Sequence, residues 1–242
     1  MTPQCPVETP RTKILLIGGT GFLGRNVCDR LTTAGLDVTV VTRRPTAVPA
    51  GCGVAELHDR APRRSQFASM INRFDPDAVV NTAGEIWRHD ASLLREANAE
   101  LPQCLALAMA DLGSTARLVH LGSSLEYAPL PHPHATDENC PEAPRSEYGR
   151  TKLQGTRRIF EIARQASLDV VVLRVFNAIG SDMSPVSLLG RTVRTLAQAR
   201  REGHPARLTL FDLKQHRDYV DARDLAEAVL RAAVSRHLAG VP

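Results

Sequence analysis

The chain has 242 residues, 43% of them hydrophobic, with a net charge of +4 and a pI near 9.0. That length and composition suit one large α/β domain, or a domain with a small appendage, and exclude wholesale disorder. No apolar run is long enough to span a bilayer, and the polar, proline-bearing segment Met1 to Thr12 has no signal-peptide core, so a cytoplasmic protein without a membrane partner is expected. The five cysteines, Cys5, Cys28, Cys52, Cys104 and Cys140, are scattered and form no C-x-x-C pair. They read as reduced thiols with no zinc or other metal site. Basic residues occur only as short pairs, without interleaved aromatics, so no nucleic-acid partner is expected.

In chain order, Ile14-Leu15-Leu16-Ile17 predicts a strand buried on both faces, as in parallel sheets. Gly18-Gly19-Thr20-Gly21-Phe22-Leu23-Gly24 follows, and a helical pattern (Leu23, Val27, Leu31) starts inside it. Gly19, Gly21 and Gly24 spell G-x-G-x-x-G, and Gly18, Gly21 and Gly24 spell the variant G-x-x-G-x-x-G. Between a buried strand and a helix, such glycines let the backbone approach a pyrophosphate, whose charge the helix N-terminus stabilises. Gly18, Thr20, Gly21, Phe22 and Leu23 are therefore candidate dinucleotide contacts. Val38 to Thr42 predicts a second strand ending in Arg43-Arg44, where an acidic residue would bond the ribose of NAD. Arginines there favour the 2′-phosphate of NADP, with NAD still possible.

Val54 to Leu57 reads as a third strand, whose Glu56 and Leu57 join the candidate cofactor contacts, followed by a helix through Phe74. Asp77 to Gly84 predicts a fourth strand running into a small-residue turn. Thr82, Ala83 and Gly84 then lie beside the glycine loop, where open α/β sheets bind ligands. A helix over Leu93 to Leu107 is expected to break at Pro102. Arg117 to Leu121 predicts a fifth strand ending at Gly122-Ser123-Ser124. Five prolines between 128 and 147 mark a long loop, whose His132 and His134 receive no role. A helix from Tyr148, a strand Leu168 to Val175, a turn Phe176 to Gly180, a helix near 187–202, a strand Leu208 to Phe211 and a helix near 221–236 complete the chain. The alternation gives an α/β fold with a doubly wound parallel sheet of the Rossmann type.

Tyr148 and Lys152 are four residues apart and share a helix face. An ammonium near a phenol favours the phenolate, so Lys152 is expected to lower the tyrosine pKa from about 10. Ser123 or Ser124, at the end of a central strand, would hold a substrate oxygen against that phenol.

With these residues the chain resembles the extended short-chain dehydrogenase/reductase family of NAD(P)-dependent nucleotide-sugar epimerases, dehydratases and reductases. The resemblance spans about residues 13–236. It rests on Gly18 to Gly24, Asn81-Thr82-Ala83-Gly84, Asn98, Gly122 to Tyr127, Tyr148 to Lys152, Leu173 to Asn177 and Arg217 to Asp221. It implies Tyr148 as acid/base and Lys152 as its tuner and a ribose ligand. It also implies a serine donor, Ser123 matching the motif best and Ser124 the alternative. Asn177 and Arg217 match positions that contact the sugar nucleotide, and the family implies a homodimer. On this basis residues 10–176 bind the dinucleotide and residues 177–242 form a small, incomplete substrate-binding part, with 216–236 returning to the first domain.

The departures narrow the chemistry. The family's dehydratases carry an Asp-Glu pair after the catalytic hydroxyl residue, where this chain has Ser124-Leu125. Glu126 stands one position too late, and a shift by one residue turns a strand-end side chain elsewhere. Ala128 replaces the usual glycine, and family members usually continue some tens of residues past the last helix, so either a shortened substrate part or an unusually open pocket is expected. The expected function is an NADP-preferring reductase acting on a keto group of a nucleotide-linked deoxysugar. The Gly-Ser-Ser-x-Glu-Tyr run looks most like GDP-4-keto-6-deoxymannose reductases, with dTDP-4-keto sugar reductases close behind. An NAD-dependent epimerase and a non-catalytic dinucleotide sensor are the alternatives, and the intact Tyr/Lys pair counts against the sensor.

Overall fold

The structure is a computed structural model and describes residues 11–59, 63–87, 90–130, 134–210 and 216–235. Six strands, β1 (Lys13–Ile17), β2 (Asp37–Thr42), β3 (Gly53–Glu56), β4 (Ala78–Asn81), β5 (Arg117–Ser123) and β6 (Val170–Val175), form one parallel sheet. Their order is β3-β2-β1-β4-β5-β6. The chain steps outward from β1 to β3 and then returns to lay β4 on the other side of β1. The strand order therefore reverses between β1 and β4, which opens a crevice at their carboxyl ends.

The continuous apolar runs are explained by cover on both faces. Ile14 and Leu16 pack towards α1 (Phe22–Thr33) and α7 (Ala222–Val234), with Val27, Leu31, Leu225 and Val229. Leu15 and Ile17 pack the other way, towards α2 (Arg64–Phe74), α4 (Leu101–Asp111) and α5 (Glu147–Ala166). There they meet Phe67, Leu105, Met109 and Ile159. Arg117 ties the last helix back to the sheet: its Nε donates to Asp169 Oδ2 at 2.8 Å and its Nη1 to the Ala232 carbonyl at 3.0 Å. Beyond the main sheet, β7 (Asn177–Ile179) pairs in parallel with β8 (Tyr219–Asp221), and α6 (Leu188–Glu202) lies between them in sequence.

Several expectations need correction. The helix does not break at Pro102: α3 (Ala91–Arg95) runs through a π turn, Glu96–Glu100, directly into α4. A proline nitrogen has no hydrogen to donate and its ring clashes with the carbonyl four residues back. The wider π turn makes that room, so Pro102 sits in the first turn of α4 at no cost. The third strand is Gly53–Glu56, and Leu57 follows it, its N–H reaching the Thr42 carbonyl at 2.9 Å. Asn177 to Ile179 is a strand where a turn was expected. No strand covers Leu208 to Leu210, which are exposed and pair with no other strand among the described residues; Phe211 lies outside them, as do Cys5 and His132.

Candidate active site

The crevice is floored by the glycine loop, and close approach explains its composition. Gly18 has a φ of +86°, and a Cβ there would lie 2.6 Å from the Ala83 nitrogen. A Cβ on Gly24 would lie 2.1 Å from the Gly18 carbonyl oxygen. The loop thus folds under the N-terminus of α1, where Gly21 stands at the cap position with no side-chain cap and no acidic residue in the first turn. Its N–H dipoles are aimed at the crevice and suited to a pyrophosphate. Gly24→Ala is expected to cost about 1–3 kcal/mol of stability by overpacking and to weaken dinucleotide binding. Thermal unfolding and a dinucleotide titration check this, and wild-type values in both would refute it.

The cleft above the loop takes in Gly18, Thr20, Arg43, Leu57, Ala83 and Gly84 of the predicted contacts. Its far wall comes from Leu93, Ala97 and Leu101, which the sequence pattern marks only as helix core, with Glu96 and Glu100 of the π turn. Other predicted contacts sit differently. Arg44 is exposed before a short turn, its backbone N–H on Thr42 Oγ1 at 2.9 Å, and Glu56 is exposed at the end of β3. Phe22 packs near Gly180, Leu23 packs on the core, and Thr82 Oγ1 donates to the Ile17 carbonyl at 2.9 Å. Asn177 Nδ2 donates to the Asp218 carbonyl at 2.8 Å, within the β7–β8 pairing, beside an exposed Arg217.

The catalytic candidates meet where β5 ends and α5 begins. Ser146 caps α5, its Oγ accepting from the Gly149 N–H at 3.0 Å. A Cβ on Gly149 would lie 2.3 Å from the Leu125 carbonyl oxygen, so this glycine lets the helix start against the turn that follows β5. Tyr148 is thereby brought near Ser123, whose side chain favours the phenolate. Ser124 is partly buried in the 3₁₀ turn Ser124–Glu126. Lys152 is buried, and its Nζ donates to the Leu121 carbonyl.

The electrostatics overturn one expectation. The Tyr148 pKa is raised, not lowered: burial opposes the phenolate, the Ser123 side chain only partly offsets that, and Glu126 adds to it. The Lys152 ammonium donates to the Leu121 carbonyl, and burial, Ser123 and Glu126 are what set the phenol's shift. Burial lowers the Lys152 pKa to about 8, against an opposing attraction to Glu126.

Glu126 is fully buried and fully engaged. Its Oε1 accepts from the Ser123 N–H at 2.8 Å and its Oε2 from Arg174 Nε at 2.9 Å. Arg174 also donates to Tyr127 Oη at 3.0 Å, stacks on that ring at 4.6 Å, and pairs with Glu142. Asn98, likewise buried, fixes the opposite side. Its Oδ1 accepts from the Glu85 N–H at 2.9 Å, while its Nδ2 donates to the Glu85 carbonyl at 2.8 Å and to Thr151 Oγ1 at 3.2 Å. Asn98 thus joins the loop after β4 to the helix that carries Tyr148.

The model of the NAD dependent epimerase/dehydratase family matches residues 14–239. The chain belongs to that family. It is an enzyme of the extended short-chain dehydrogenase/reductase type. A dTDP-6-deoxy-L-talose 4-dehydrogenase (NAD(P)(+)) of Kitasatospora kifunensis is 37% identical over 231 residues, covering 95% of this chain and 72% of the relative. A UDP-glucose 4-epimerase of Rhizobium meliloti (strain 1021) is 27% identical, covering 90% of this chain and 71% of its own length. Among solved structures, the UDP-glucose 4-epimerase of Thermus thermophilus in complex with NAD superposes with a TM-score of 0.77 at 26% identity, covering 93% of this chain and 75% of that one. Family membership accounts for the crevice and its glycine cradle. The Glu126–Arg174 pair was missed in the sequence because a carboxylate and an arginine 48 positions apart carry no local signal.

Proposed function

We propose that the protein is an NAD(P)-dependent oxidoreductase that reduces the 4-keto group of a nucleotide-linked 6-deoxyhexose. The observation that carries this reading is that Ser123 acts on the Tyr148 phenol while Glu126 is tied down by Arg174 and the Ser123 N–H. One proton relay is therefore available at the strand end. Dehydration needs a further acid and base; Leu125 is half-exposed and apolar, and Glu126 is sequestered. Ketone reduction and alcohol oxidation need only the one relay. The 37% identical relative supports a dTDP-linked deoxysugar over a GDP-linked one.

In this reading residues 10–176 hold the dinucleotide, with the pyrophosphate on Gly18, Thr20 and Gly21, and the wall formed by Leu57, Ala83 and Gly84. When bound, the nicotinamide supplies the hydride for the carbonyl carbon. Ser123 holds the substrate oxygen and Tyr148 delivers the proton to it. Lys152 turns from Leu121 to the ribose and the phenol, and its positive charge then favours the phenolate left behind. Residues 177–242, with Asn177 and Arg217, contribute to the nucleotide-sugar side, and the active species is a homodimer, which light scattering would test.

Arg43 lines the cleft at the end of β2 and supports NADP over NAD. Replacing Arg43 and Arg44 with Ala is expected to remove about 1.5–3 kcal/mol of preference for NADPH, the usual worth of hydrogen bonds to a charged group. NADH affinity is expected to stay nearly unchanged. Equal affinities of the unmodified protein for NADH and NADPH would count against the assignment.

The deciding assay offers dTDP-4-keto-6-deoxyhexose with NADPH and follows nicotinamide absorbance together with the product. Stoichiometric oxidation with a 4-hydroxy product supports the reductase. The epimerase relatives favour a second reading, in which the hydride returns to the opposite face. Epimerised product without net NADPH oxidation would establish that one instead, and dehydration of an unmodified NDP-hexose would refute the argument from Leu125.

A further inference from the structure

On the facing sides of β5 and α5, the buried polar side chains His120 and Thr156 have no part in the proposed reaction. His120 and Thr156 are both fully buried, and His120 Nε2 and Thr156 Oγ1 have no hydrogen-bond partner among the described residues. His120 alternates with Val119 and Leu121, which face α1 and α7, so its ring points with Leu118 towards α5. Thr156 lies one helical turn after Lys152 and one before Ile159, which packs in that same layer.

The tautomer of His120 follows from its neighbours. Asn81 Oδ1 accepts the Ala83 N–H at 3.0 Å, which fixes the amide so that its Nδ2 is the group 3.0 Å from His120 Nδ1. An amide NH₂ only donates, so Nδ1 is the acceptor and the ring proton resides on Nε2. Burial and the neighbouring Lys152 charge hold the His120 pKa well below its ordinary value, so the ring is neutral. A buried N–H and a buried hydroxyl without partners each lose the hydrogen bonds they made in water.

We propose that His120 Nε2–H and Thr156 Oγ1 hold an internal water near Lys152, which makes His120 a positioning residue for the ammonium. A water accepts from the imidazole N–H, donates to the threonine oxygen, and keeps one more acceptor lone pair for Lys152 Nζ. Asn81, at the end of β4, thereby reaches the lysine through the imidazole and the water. The proposal rests on the reading of Lys152 as the tuner of Tyr148, but its tests do not use turnover. Of the titratable groups on the packed elements, Glu126 in the turn after β5, paired with Arg174 of β6, acts on Lys152, and Lys152 in turn acts on His120 of β5. Glu96 and Glu100 of the π turn line the dinucleotide cleft.

Three measurements on the full chain decide it. With ¹⁵N-histidine, His120 is expected as the Nε2–H tautomer from about pH 5 to 8, with a cross-peak from that proton to a long-lived water. A proton on Nδ1, or no water cross-peak, overturns the site. Thr156→Val is isosteric: if the hydroxyl were truly orphaned, its loss would raise Tm, whereas loss of a water anchor is expected to lower Tm by roughly 2–4 °C. Thr156→Ser, which keeps the hydroxyl, is expected to retain the water cross-peak. In ¹³C-labelled lysine titrations, Thr156→Val is expected to move Lys152 down by about half a pH unit, because the ammonium loses an acceptor, and Thr156→Ser to restore it. An unmoved Lys152 titration overturns the positioning role. A wild-type protein inert towards every keto sugar would sink the function reading and leave these three results to stand or fall alone.

Discussion

Tyr148→Phe is expected to lower turnover by about 10²–10⁴-fold, the usual contribution of a positioned acid/base group, with dinucleotide affinity and Tm close to wild type. The phenyl ring keeps the packing at the start of α5 and deletes only the hydroxyl on which Ser123 acts. The raised pKa of the phenol makes the substitution decisive for the direction of reaction. Tyr148 is protonated throughout the neutral range, so it is ready to give a proton to a developing alkoxide and needs assistance to take one from an alcohol. Lys152 supplies that assistance while it is cationic. Below about pH 8 it is an ammonium, and above it increasingly a neutral amine. Oxidation of a 4-hydroxy sugar, which needs phenolate, is therefore expected to rise with pH and then fade as Lys152 deprotonates. Reduction is expected to hold its rate towards neutral pH. Steady-state rates of the two directions across about pH 6–10, for wild type and Tyr148→Phe, measure both effects. Near-normal turnover by Tyr148→Phe would show that another group moves the proton.

The parts of this site legible in the sequence are those enforced locally by backbone geometry. Gly18 to Gly24 must be small because the loop passes under its own helix, and that constraint leaves a compact local pattern. The buried strands announce themselves by apolar runs because both faces are covered. The Tyr148–Lys152 spacing reports a shared helix face, which is what α5 has. The electrostatics are less legible. The spacing implies that Lys152 acts on the phenol, but four residues bring two Cβ atoms together and do not aim two long side chains at each other. The Leu121 carbonyl, an unforeseeable tertiary partner, takes the ammonium instead. Pro102 misled for a related reason: a proline breaks a helix only if the turn before it cannot widen, and the π turn that presents Asn98 is such a widened turn. The far wall of the cleft was passed over because Leu93, Ala97 and Leu101 look like ordinary core spacing until the crevice beside them is known.

Arg174→Leu is expected to cost about 3–5 kcal/mol, the usual result of leaving a buried charge without its partner, and to lower Tm by roughly 6–20 °C in a chain of this size. Glu126 has no solvent-exposed surface, so once Arg174 is gone its carboxylate retains the Ser123 N–H as its hydrogen bond within the turn, and Lys152 as the nearby positive charge. A proton taken up by the carboxyl relieves that cost. The folded variant then binds more protons than the unfolded chain, so its stability is expected to rise as pH falls from about 8 to 5. The double variant Glu126→Leu/Arg174→Leu separates charge from packing. Replacing both members of a buried pair by apolar groups is often neutral or stabilising, so the double variant is expected to regain most of the lost stability and to lose the pH dependence. It is not expected to regain turnover, because Glu126 also holds the Ser123 backbone, and with it the hydroxyl that faces Tyr148. Urea unfolding at about pH 5 and 8, beside kcat on a keto sugar, reads all three quantities. Full turnover in a stable double variant would mean that the ion pair serves the fold alone, and that Ser123 keeps its place by the strand and turn without the glutamate.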